Sequence, residues 1–568
     1  MLIHAGEIEQ AIGDTPHGTC GRVADHCAPC AGARAVTDAA ADAFERIARG
    51  GSTPDPRTTR RAHEDLLRAR RAVAALGALV VAEGTVRIRV PEGFAFYGLL
   101  PDLYRMPALR WAEEEAGTPD AGVLVAGVRS IGTTLSAVVG AVLRARGFRV
   151  ERRTVRPEGH PFARRAEGRL PGAPRGIVVD EGPGLSGSSM LAVADLLVRS
   201  GVRSVALIPG HGAGPGAAAT ASTRRRWKAL RCHVPDPLQG CADGRDLVET
   251  LWSGIDALHG DEPATCEDLG GGAWRAILYD DRSRWPFSPR ALERPKLLVT
   301  GRSGRRVLFK FSGLATSARG RGSMAETLCG RLHALARTGT VAAPLGVALG
   351  FVAHEWIEGV PCSATDASPE VLERLAAHLV ESTRGSLPPR EADEARLRLL
   401  DMVRVNVEEA LGSEASRAAV DLAEACACLP CGTPGAGDGR MAPHEWIRTP
   451  EGRLVKTDAG GHELDHTWVG RQPLPWDVAG TLLEWDLHGE QAARFLDALE
   501  RRSGVPGSHS LHGYLVAYAA HRVGQSRFFA ETQVDPVERG IQERAFCLWK
   551  DALQRVLLER EERRGMVA

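Results

Sequence analysis

Between residues 121 and 210, apolar runs alternate with small and polar breaks in an order that predicts a β-α-β-α-β chain. In AGVLVAGVRSIGTTLSAVV (121–139) a buried-strand run ends at Gly127; Arg129, Ser130, Gly132, Thr133 and Thr134 fill a turn, and a helix follows. GFRVE (147–151) reads as the next strand, GIVV (176–179) as another and VRSVALIPG (202–210) as the last, with the amphipathic LAVADLLVRSG (191–201) before it. Strands alternating with helices imply a mostly parallel sheet that presents ligands at its carboxyl ends. RPEGHPFARRAEGR (156–169) is polar, basic and glycine-punctuated, which predicts a loop between two core strands.

The strongest chemical signal is GIVVDEGPGLSGSSM (176–190), where a buried strand runs into the adjacent acids Asp180 and Glu181, then a small-residue loop, then a helix start. Such acids can hold two vicinal ribose hydroxyls. Gly184 and Gly187 let the backbone approach a phosphate, which the helix's first N–H groups and the hydroxyls of Ser186, Ser188 and Ser189 then bind. The arrangement resembles the phosphoribosyl-diphosphate (PRPP) motif of type I phosphoribosyltransferases, with a loop one residue longer than the usual form. That resemblance implies that the earlier turn, with Arg129 and Ser130, grips the diphosphate, where a guanidinium binds two phosphate oxygens at once. It also implies that loop 156–169 closes over the site, with Arg156, His160, Arg164 and Arg165 as covering residues.

From residue 296 the pattern changes. KLLVTGRSGRRVLFKFSGL (296–314) reads as two strands joined by a basic turn, with Lys310 inside the second; Glu326 then opens the helical AETLCGRLHALA (325–336), and GVALG and FVAHEWIEGVP (351–361) are strand-like. Further on, RLVKTDAGG ends a strand at Asp458, and PWDVAG (475–480) follows as a helical element. A strand lysine paired with a helix glutamate, a hinge and a metal-binding Asp resemble protein-kinase-like folds of the aminoglycoside- and choline-phosphotransferase kind. The resemblance implies that Lys310 and Glu326 orient nucleotide phosphates, that 351–361 lines the adenine pocket, that Asp458 binds metal and that Asp477 braces the catalytic loop. The sequence departs from that pattern in DGRMAPHEW (438–446): with Pro443 on the family's loop proline, Arg440 stands where the catalytic Asp belongs and Glu445 where a metal-binding Asn would sit. Glu445 still suits Mg²⁺ as a hard oxygen ligand. Asp438, two residues early, is the candidate catalytic acid. His462, Asp465 and His466 in GGHELDH form either a second small site or a solvated turn. Charged helices, EQAARFLDALERR and AFCLWKDALQRVLLERE, close the chain without assigned chemistry.

Composition narrows the partners. Lys+Arg and Asp+Glu are both 71 of 568 residues, a net charge of zero, so no basic footprint points to nucleic acid, and RRRWK (224–228) reads as solvated surface. No apolar run reaches the roughly 18 residues that span a bilayer, and the N-terminus lacks a secretory pattern; the expectation is a soluble, cytoplasmic protein without a membrane partner. Twelve scattered cysteines argue against a disulfide framework. The cluster His17, Cys20, His26, Cys27 and Cys30, with one C-x-x-C pair, offers zinc ligands without completing a four-ligand site and reads as reduced thiols with metal binding as the alternative; the trio Cys426, Cys428 and Cys431 matches no common zinc pattern and reads as reduced thiols.

These readings divide the chain into a poorly patterned 1–55, a phosphoribosyltransferase-like domain over 56–222, an ambiguous connection over 223–290 and a kinase-like domain over 291–568. The expected fold class is an α/β phosphoribosyltransferase-like parallel sheet followed by an α+β bilobal kinase-like domain. The function so implied is a bifunctional transferase of small-molecule substrates, using PRPP and ATP as co-substrates and Mg²⁺ at both sites. Two alternatives stay open: an active phosphoribosyltransferase with a degenerate nucleotide-binding kinase-like domain, and a non-catalytic nucleotide sensor.

Overall fold

A computed structural model describes residues 2–14, 28–49, 91–115, 121–184, 186–212, 214–216, 219–235, 247–288, 293–315, 322–383, 389–427, 437–462, 469–504, 511–533 and 535–565. The helical run at 66–80, most of the N-terminal cysteine cluster, Cys428, Cys431, Asp465 and His466 lie outside these. The chain forms two compact units. Unit 1 comprises Met1–Gly254 with Gly313–Met324 and Ala348–Gly350; unit 2 comprises Ile255–Ser312, Ala325–Val347 and Phe351–Ala568.

Unit 1 is built on a parallel sheet of five strands, β1 (Val123–Val128), β2 (Val150–Val155), β3 (Arg175–Val179), β4 (Ser204–Ile208) and β5 (Arg231–Cys232), in the order β2-β1-β3-β4-β5. β1 and β3 are buried along their whole length, which is why they read as unbroken apolar runs rather than as alternating ones. The helix Ile131–Ala145 follows β1 and Ser188–Arg199 follows β3. Strand order therefore reverses between β1 and β3, and in a doubly wound sheet the crevice beyond the carboxyl ends of such a pair is the ligand site. The turn 129–130 and the acids 180–181 both stand there.

The N-terminal residues, expected to be poorly patterned, contribute the helices Leu2–Asp14 and Ala28–Arg49, which pack on Ile131–Ala145. We number the helices of unit 1 α1 (Leu2–Asp14), α2 (Ala28–Arg49), α3 (Arg105–Glu114), α4 (Ile131–Ala145), α5 (Ser188–Arg199) and α6 (Ala221–Lys228). In α6 the basic run leaves its arginines outward while Trp227 is buried against α5, so residues beyond 222 belong with the sheet.

Unit 2 opens on a five-stranded sheet, β6 (Pro263–Asp268), β7 (Lys296–Gly301), β8 (Arg306–Phe311), β9 (Pro344–Ala348) and β10 (Phe351–Glu355), in the order β6-β7-β8-β10-β9, with β6 to β8 and β8 to β10 antiparallel. α7 (Met324–Ala336) lies between β8 and β9 in the chain. A small sheet of β11 (Val360–Pro361), β12 (Trp446–Arg448) and β13 (Leu454–Lys456) follows, with the helices α8 (Pro369–Ser382), α9 (Pro389–Leu411), α10 (Ser413–Ala427), α11 (Leu474–Glu484), α12 (Gly489–Ser503), α13 (Leu511–Thr532) and α14 (Pro536–Gly565). Their shared core includes Leu375, Leu379, Val403, Val407, Trp476 and Tyr518, each large aliphatic contributing about 1.5–3 kcal/mol by leaving water. No described helix is long and apolar enough to cross a membrane.

Candidate functional site

In unit 1, the first turn of α4 lies against the end of β3. A Cβ on Gly132 would stand 2.6 Å from the Val179 carbonyl oxygen and 3.3 Å from Asp180 Oδ1, so only glycine fits. Asp180 is buried, and the Tyr104 hydroxyl donates to its backbone oxygen at 2.8 Å. Burial pushes the Asp180 carboxyl up, against the opposing pull of the Glu181 and Gly132 backbone and the Arg156 charge; burial and then Asp180 itself push Glu181 up. Glu181 Oε2 is buried without a hydrogen-bond partner among the described residues. Two acids kept from ionising together, one with an unsatisfied oxygen, form a site that a polyhydroxylated ligand or a cation would complete.

Several of the other expected phosphate-site residues are engaged within the chain. The hydroxyls of Ser186 and Ser188 lie 3.0 and 2.7 Å from the Pro161 carbonyl oxygen, tying the α5 turn to loop 156–169. Gly184 and Gly187 take φ values of 60° and 68°, Gly187 at the start of α5, while Ser189 and Ser130 are half-buried. Arg129 does not face open solvent. It is buried, donating from Nη1 to the Gly13 carbonyl at 2.7 Å and meeting Asp14 at 3.4 Å, and Arg156 Nε donates to the same Asp14 at 2.9 Å. The first helix was not foreseen as a partner, and its last turn supplies both contacts. Of the other loop residues, Arg164 donates to the Gly159 carbonyl at 2.7 Å, His160 is exposed, and Glu158 and Arg165 form an isolated bridge within the loop.

Unit 2 holds a cavity of ≈ 180 Å³ walled by β7, β8 and β10, the hinge after β10 and residues 440–462. Lys310 projects from β8 into it and bonds the Asp458 carboxylate. Glu326 is not at this site: it is exposed on α7, whose Leu328, Leu332 and Leu335 turn inward. Helical spacing puts 326 roughly opposite 328 on the wheel, so one helix face cannot serve both core and nucleotide. The strand lysine's carboxylate partner is therefore Asp458 rather than the helix glutamate.

Asp438 also stands elsewhere than a catalytic acid would. It is fully buried and is not part of the cavity wall. His378 Nε2 lies 2.7 Å from its Oδ2, Lys456 Nζ 3.3 Å and His462 Nδ1 3.5 Å from its Oδ1, while Asp477 accepts the backbone N–H groups of Asp438 and Gly439 at 3.0 and 2.9 Å. Burial alone would raise this carboxyl; Lys456 and His378 outweigh it and hold it well below the usual range. Asp438 thus organises the loop from behind. Trp476 and Trp485 add indole N–H bonds to the carbonyls of Gly439 and Met441 at 3.3 and 2.8 Å. With 438–442 so fixed, the next side chain, Arg440, lines the cavity.

Glu445, Asp458 and His462 each offer a ligand atom within 4.8 Å of the others. Lys456, fully buried at the end of β13, donates to Glu445 Oε2 at 2.7 Å, and Arg440 Nε lies 3.0 Å from Glu445 Oε1. Burial opposes the Lys456 charge, but Asp438 and Glu445 keep its pKa above the ordinary value. His462 is likewise opposed by burial and raised to about 9 by Asp458 and Asp438. Asp458 is held well below its usual range by Lys310 and His462 against burial.

Two buried residues escaped the sequence reading, though each left a signal. His378 sits on the apolar stripe of α8 with Val371, Leu375 and Ser382, and Lys456 ends a buried strand. A titratable group on a core face demands a buried partner; the partner's identity is a tertiary fact.

No protein-family model and no curated protein matches the chain. Among solved structures it is similar to the choline kinase LicA of Streptococcus pneumoniae (16% identity over 53% of this chain and 97% of that one, TM-score 0.35). It is also similar to an ethanolamine kinase of Plasmodium vivax (10% identity, 45% and 79%, TM-score 0.33) and to the macrolide 2'-phosphotransferase MphH of Brachybacterium faecium (14% identity, 52% and 98%, TM-score 0.29). Likeness at these scores decides nothing about this chain, whose chemistry rests on its own residues.

Proposed function

We propose that the chain is a two-site transferase of small molecules: an ATP-dependent phosphotransferase site in unit 2 and a PRPP-using site in unit 1. The observation that carries the first is the Lys310–Asp458 contact inside the unit 2 cavity, with Glu445 and His462 beside it. A strand lysine positions phosphates; an adjacent carboxylate pair offers the hard oxygens that Mg²⁺ requires. The donor set fits that ion, with Asp458 and Glu445 as carboxylate ligands and His462 as a neighbouring nitrogen. Bound Mg²⁺ would neutralise charge on the nucleotide phosphates. Trp356 and Ile357 after β10, with Leu308 and Ile447, give the cavity an apolar wall suited to a base.

In unit 1, support comes from the acid pair at the strand-order reversal: Asp180 and Glu181 for ribose hydroxyls, the 184–189 turn for a phosphate at the start of α5. Phosphorus NMR of the full chain with Mg²⁺, ATP and PRPP tests both sites. The expected result is loss of the ATP γ-phosphate blocked by Asp458→Asn, and slow diphosphate release from PRPP blocked by Asp180→Asn/Glu181→Gln. Intact ATP and PRPP, with no binding of either by titration, would reject the proposal.

A specific observation favours one variant of the reading. Asp438 is withdrawn from the cavity and Arg440 stands in its wall. Among the described residues the 438–442 loop thus presents a guanidinium rather than a carboxylate to the cavity, which favours nucleotide binding over transfer to an alcohol.

A further inference from the structure

Resting on the reading of unit 1 as a PRPP-using site, we infer that Asp14 is a built-in blocker of its diphosphate end. Asp14 occupies the anion position between Arg129 and Arg156 and yields it when a diphosphate ligand binds. Val128 and Val155 pair across β1 and β2, and an arginine follows each at the carboxyl end of its strand, Arg129 and Arg156. The Arg129 backbone N–H donates to the Val155 carbonyl at 2.7 Å, which keeps the two strand ends in step. Both guanidinia converge on one carboxylate. Arg129 Nη1 lies 3.4 Å and Arg156 Nε 2.9 Å from Asp14 Oδ1, and Arg156 Nη2 bonds Asp14 Oδ2. The turn that carries Arg129 runs on to Gly132, where a Cβ would stand 3.3 Å from Asp180 Oδ1, so the arginine pair borders the acid motif. Two guanidinia at adjacent strand ends, beside acids suited to ribose hydroxyls, form an oxyanion site.

The helix itself disfavours an acid at this place. Asp14 is the last residue of α1, where the closing carbonyls already make the helix end negative. What holds the carboxylate there is the arginine pair. A phosphoryl group cannot share the position, since it would meet both the Asp14 carboxylate and the Gly13 carbonyl, to which Arg129 Nη1 donates at 2.7 Å. The helix is secured further back. Glu9 accepts from both Nη groups of the buried Arg152, at 3.1 and 2.8 Å, and a Cβ on Gly6 would stand 1.9 Å from Thr134 Oγ1. Residues 6–9 are thus tight against α4, whereas Asp14 and Arg156 are partly exposed. The last turn of α1 can give way while the rest of the helix stays docked. A diphosphate brings more charge and more oxygens than one carboxylate to the same two donors, and the exchange breaks no covalent bond.

The test titrates the full chain by calorimetry with inorganic diphosphate and Mg²⁺, and separately with PRPP and Mg²⁺. Asp14→Asn should bind diphosphate about tenfold more tightly than the parent, because the competing carboxylate charge is gone. Asp14→Asn/Arg156→Gln should lose about the same factor again. A gain in affinity is a readout that structural damage does not produce. In the parent, added diphosphate should speed amide exchange over residues 11–14 and leave residues 6–9 unchanged. Three results would overturn the inference: Asp14→Asn binding diphosphate no more tightly than the parent, binding indifferent to Arg156→Gln, or exchange over 11–14 unmoved by bound diphosphate. If PRPP still binds in those cases, only the blocker is refuted. Failure of both the parent and Asp14→Asn to bind either PRPP or diphosphate would defeat the unit 1 reading along with it.

Discussion

Asp180 in unit 1 and Asp438 in unit 2 are both buried aspartates beside a glycine-rich turn, yet their surroundings differ in kind. Around Asp180 stand Glu181, Tyr104 and backbone groups, with Arg156 acting only through space. Around Asp438 stand His378, Lys456 and His462, each within 3.5 Å of a carboxylate oxygen. Burial raises the first carboxyl, and in the second the cations overcome the same burial. The lesson is that a buried acid left uncompensated calls for a ligand, whereas one kept out of the cavity wall and closed in by the protein's own cations, as Asp438 is, is architecture. By that criterion the unit 1 acid pair is the more open of the two sites, and in unit 2 the chemistry has moved outward from Asp438 to the cavity wall.

The largest effect should come from removing the compensation. Lys456→Met removes the buried cation shared by Asp438 and Glu445, and breaking a buried ion pair from one side costs about 3–5 kcal/mol. Guanidinium unfolding followed by tryptophan fluorescence should show this loss, and Lys456→Met/Asp438→Asn should recover part of it. An unchanged midpoint in the single variant would mean that the network around Asp438 is not a stabilising one. Next in size, Lys310→Met or Asp458→Asn should weaken ATP binding roughly 10–100-fold, the equivalent of one charge-assisted contact of about 1.5–3 kcal/mol. Glu326→Gln, on the exposed face of α7, should leave binding unchanged. Calorimetric titration of the three variants distinguishes the lysine's partners directly.

How far these contrasts were legible in the sequence depends on what kind of fact each is. The parallel strands of unit 1 could be read because a strand buried on both faces must be apolar throughout, and Asp180 and Glu181 could be placed because they end such a run. Lys310 and Asp458 were placed by the strand patterns that carry them. Glu326 was misassigned because resemblance supplied a partner, whereas the i, i+2 relation of Glu326 to Leu328 already put it on the wrong helix face. Arg129 was aimed at a ligand because α1, which caps it through Gly13 and Asp14, gives no local sign that it folds back more than a hundred residues along the chain. The pairing of His378 with Asp438 spans 60 residues, and no local pattern encodes which buried histidine meets which buried acid.

Of intermediate size is the pH response, in which the raised acids of unit 1 and the depressed acids of unit 2 contribute with opposite signs. Asp180 and Glu181 keep their protons in the folded chain up to about 7 and about 8, while in the unfolded chain they release them near pH 4. The unfolded state therefore binds fewer protons in that window, and unit 1 loses stability as pH rises through it. Asp438 and Asp458 are depressed, so their contribution is present above the ordinary carboxylate range and is lost as pH falls through it. His462, raised to about 9, contributes fully below its unfolded value and loses that contribution as pH rises past 9. Asp477, raised to about 7 by burial and by Asp438, acts in the same direction as His462 and against Asp438 and Asp458 within unit 2. Asp180→Asn should accordingly stabilise unit 1 by on the order of 1–3 kcal/mol at about pH 8 and by little at about pH 5. Hydrogen exchange at the two pH values, read separately for β3 and β13, measures it. Greater protection of β3 in the parent than in Asp180→Asn at the higher pH would show that Asp180 is compensated after all.

The smallest expected effect concerns how each unit holds its loop. Unit 2 fixes residues 438–442 through the Asp477 carboxylate and two indole N–H groups, whereas unit 1 ties loop 156–169 to the α5 turn through two serine hydroxyls that share the Pro161 carbonyl. Neutral hydrogen bonds of this kind contribute about 0.5–1.5 kcal/mol net, a range that thermal motion or a ligand can offset, while a carboxylate accepting two backbone N–H groups in the interior is not released without unfolding its surroundings. If loop 156–169 is a cover for the unit 1 site, its tether must be the weaker kind. Phosphate bound at the α5 turn should then compete with Pro161 for Ser186 and Ser188. Ser188→Ala should speed amide exchange over 158–165 by roughly 2–10-fold, with exchange across 437–442 unchanged. Adding PRPP to the parent chain should alter exchange in the same segment. If PRPP binds and that segment does not respond, the serine–Pro161 contacts are a permanent turn and the loop is not a cover.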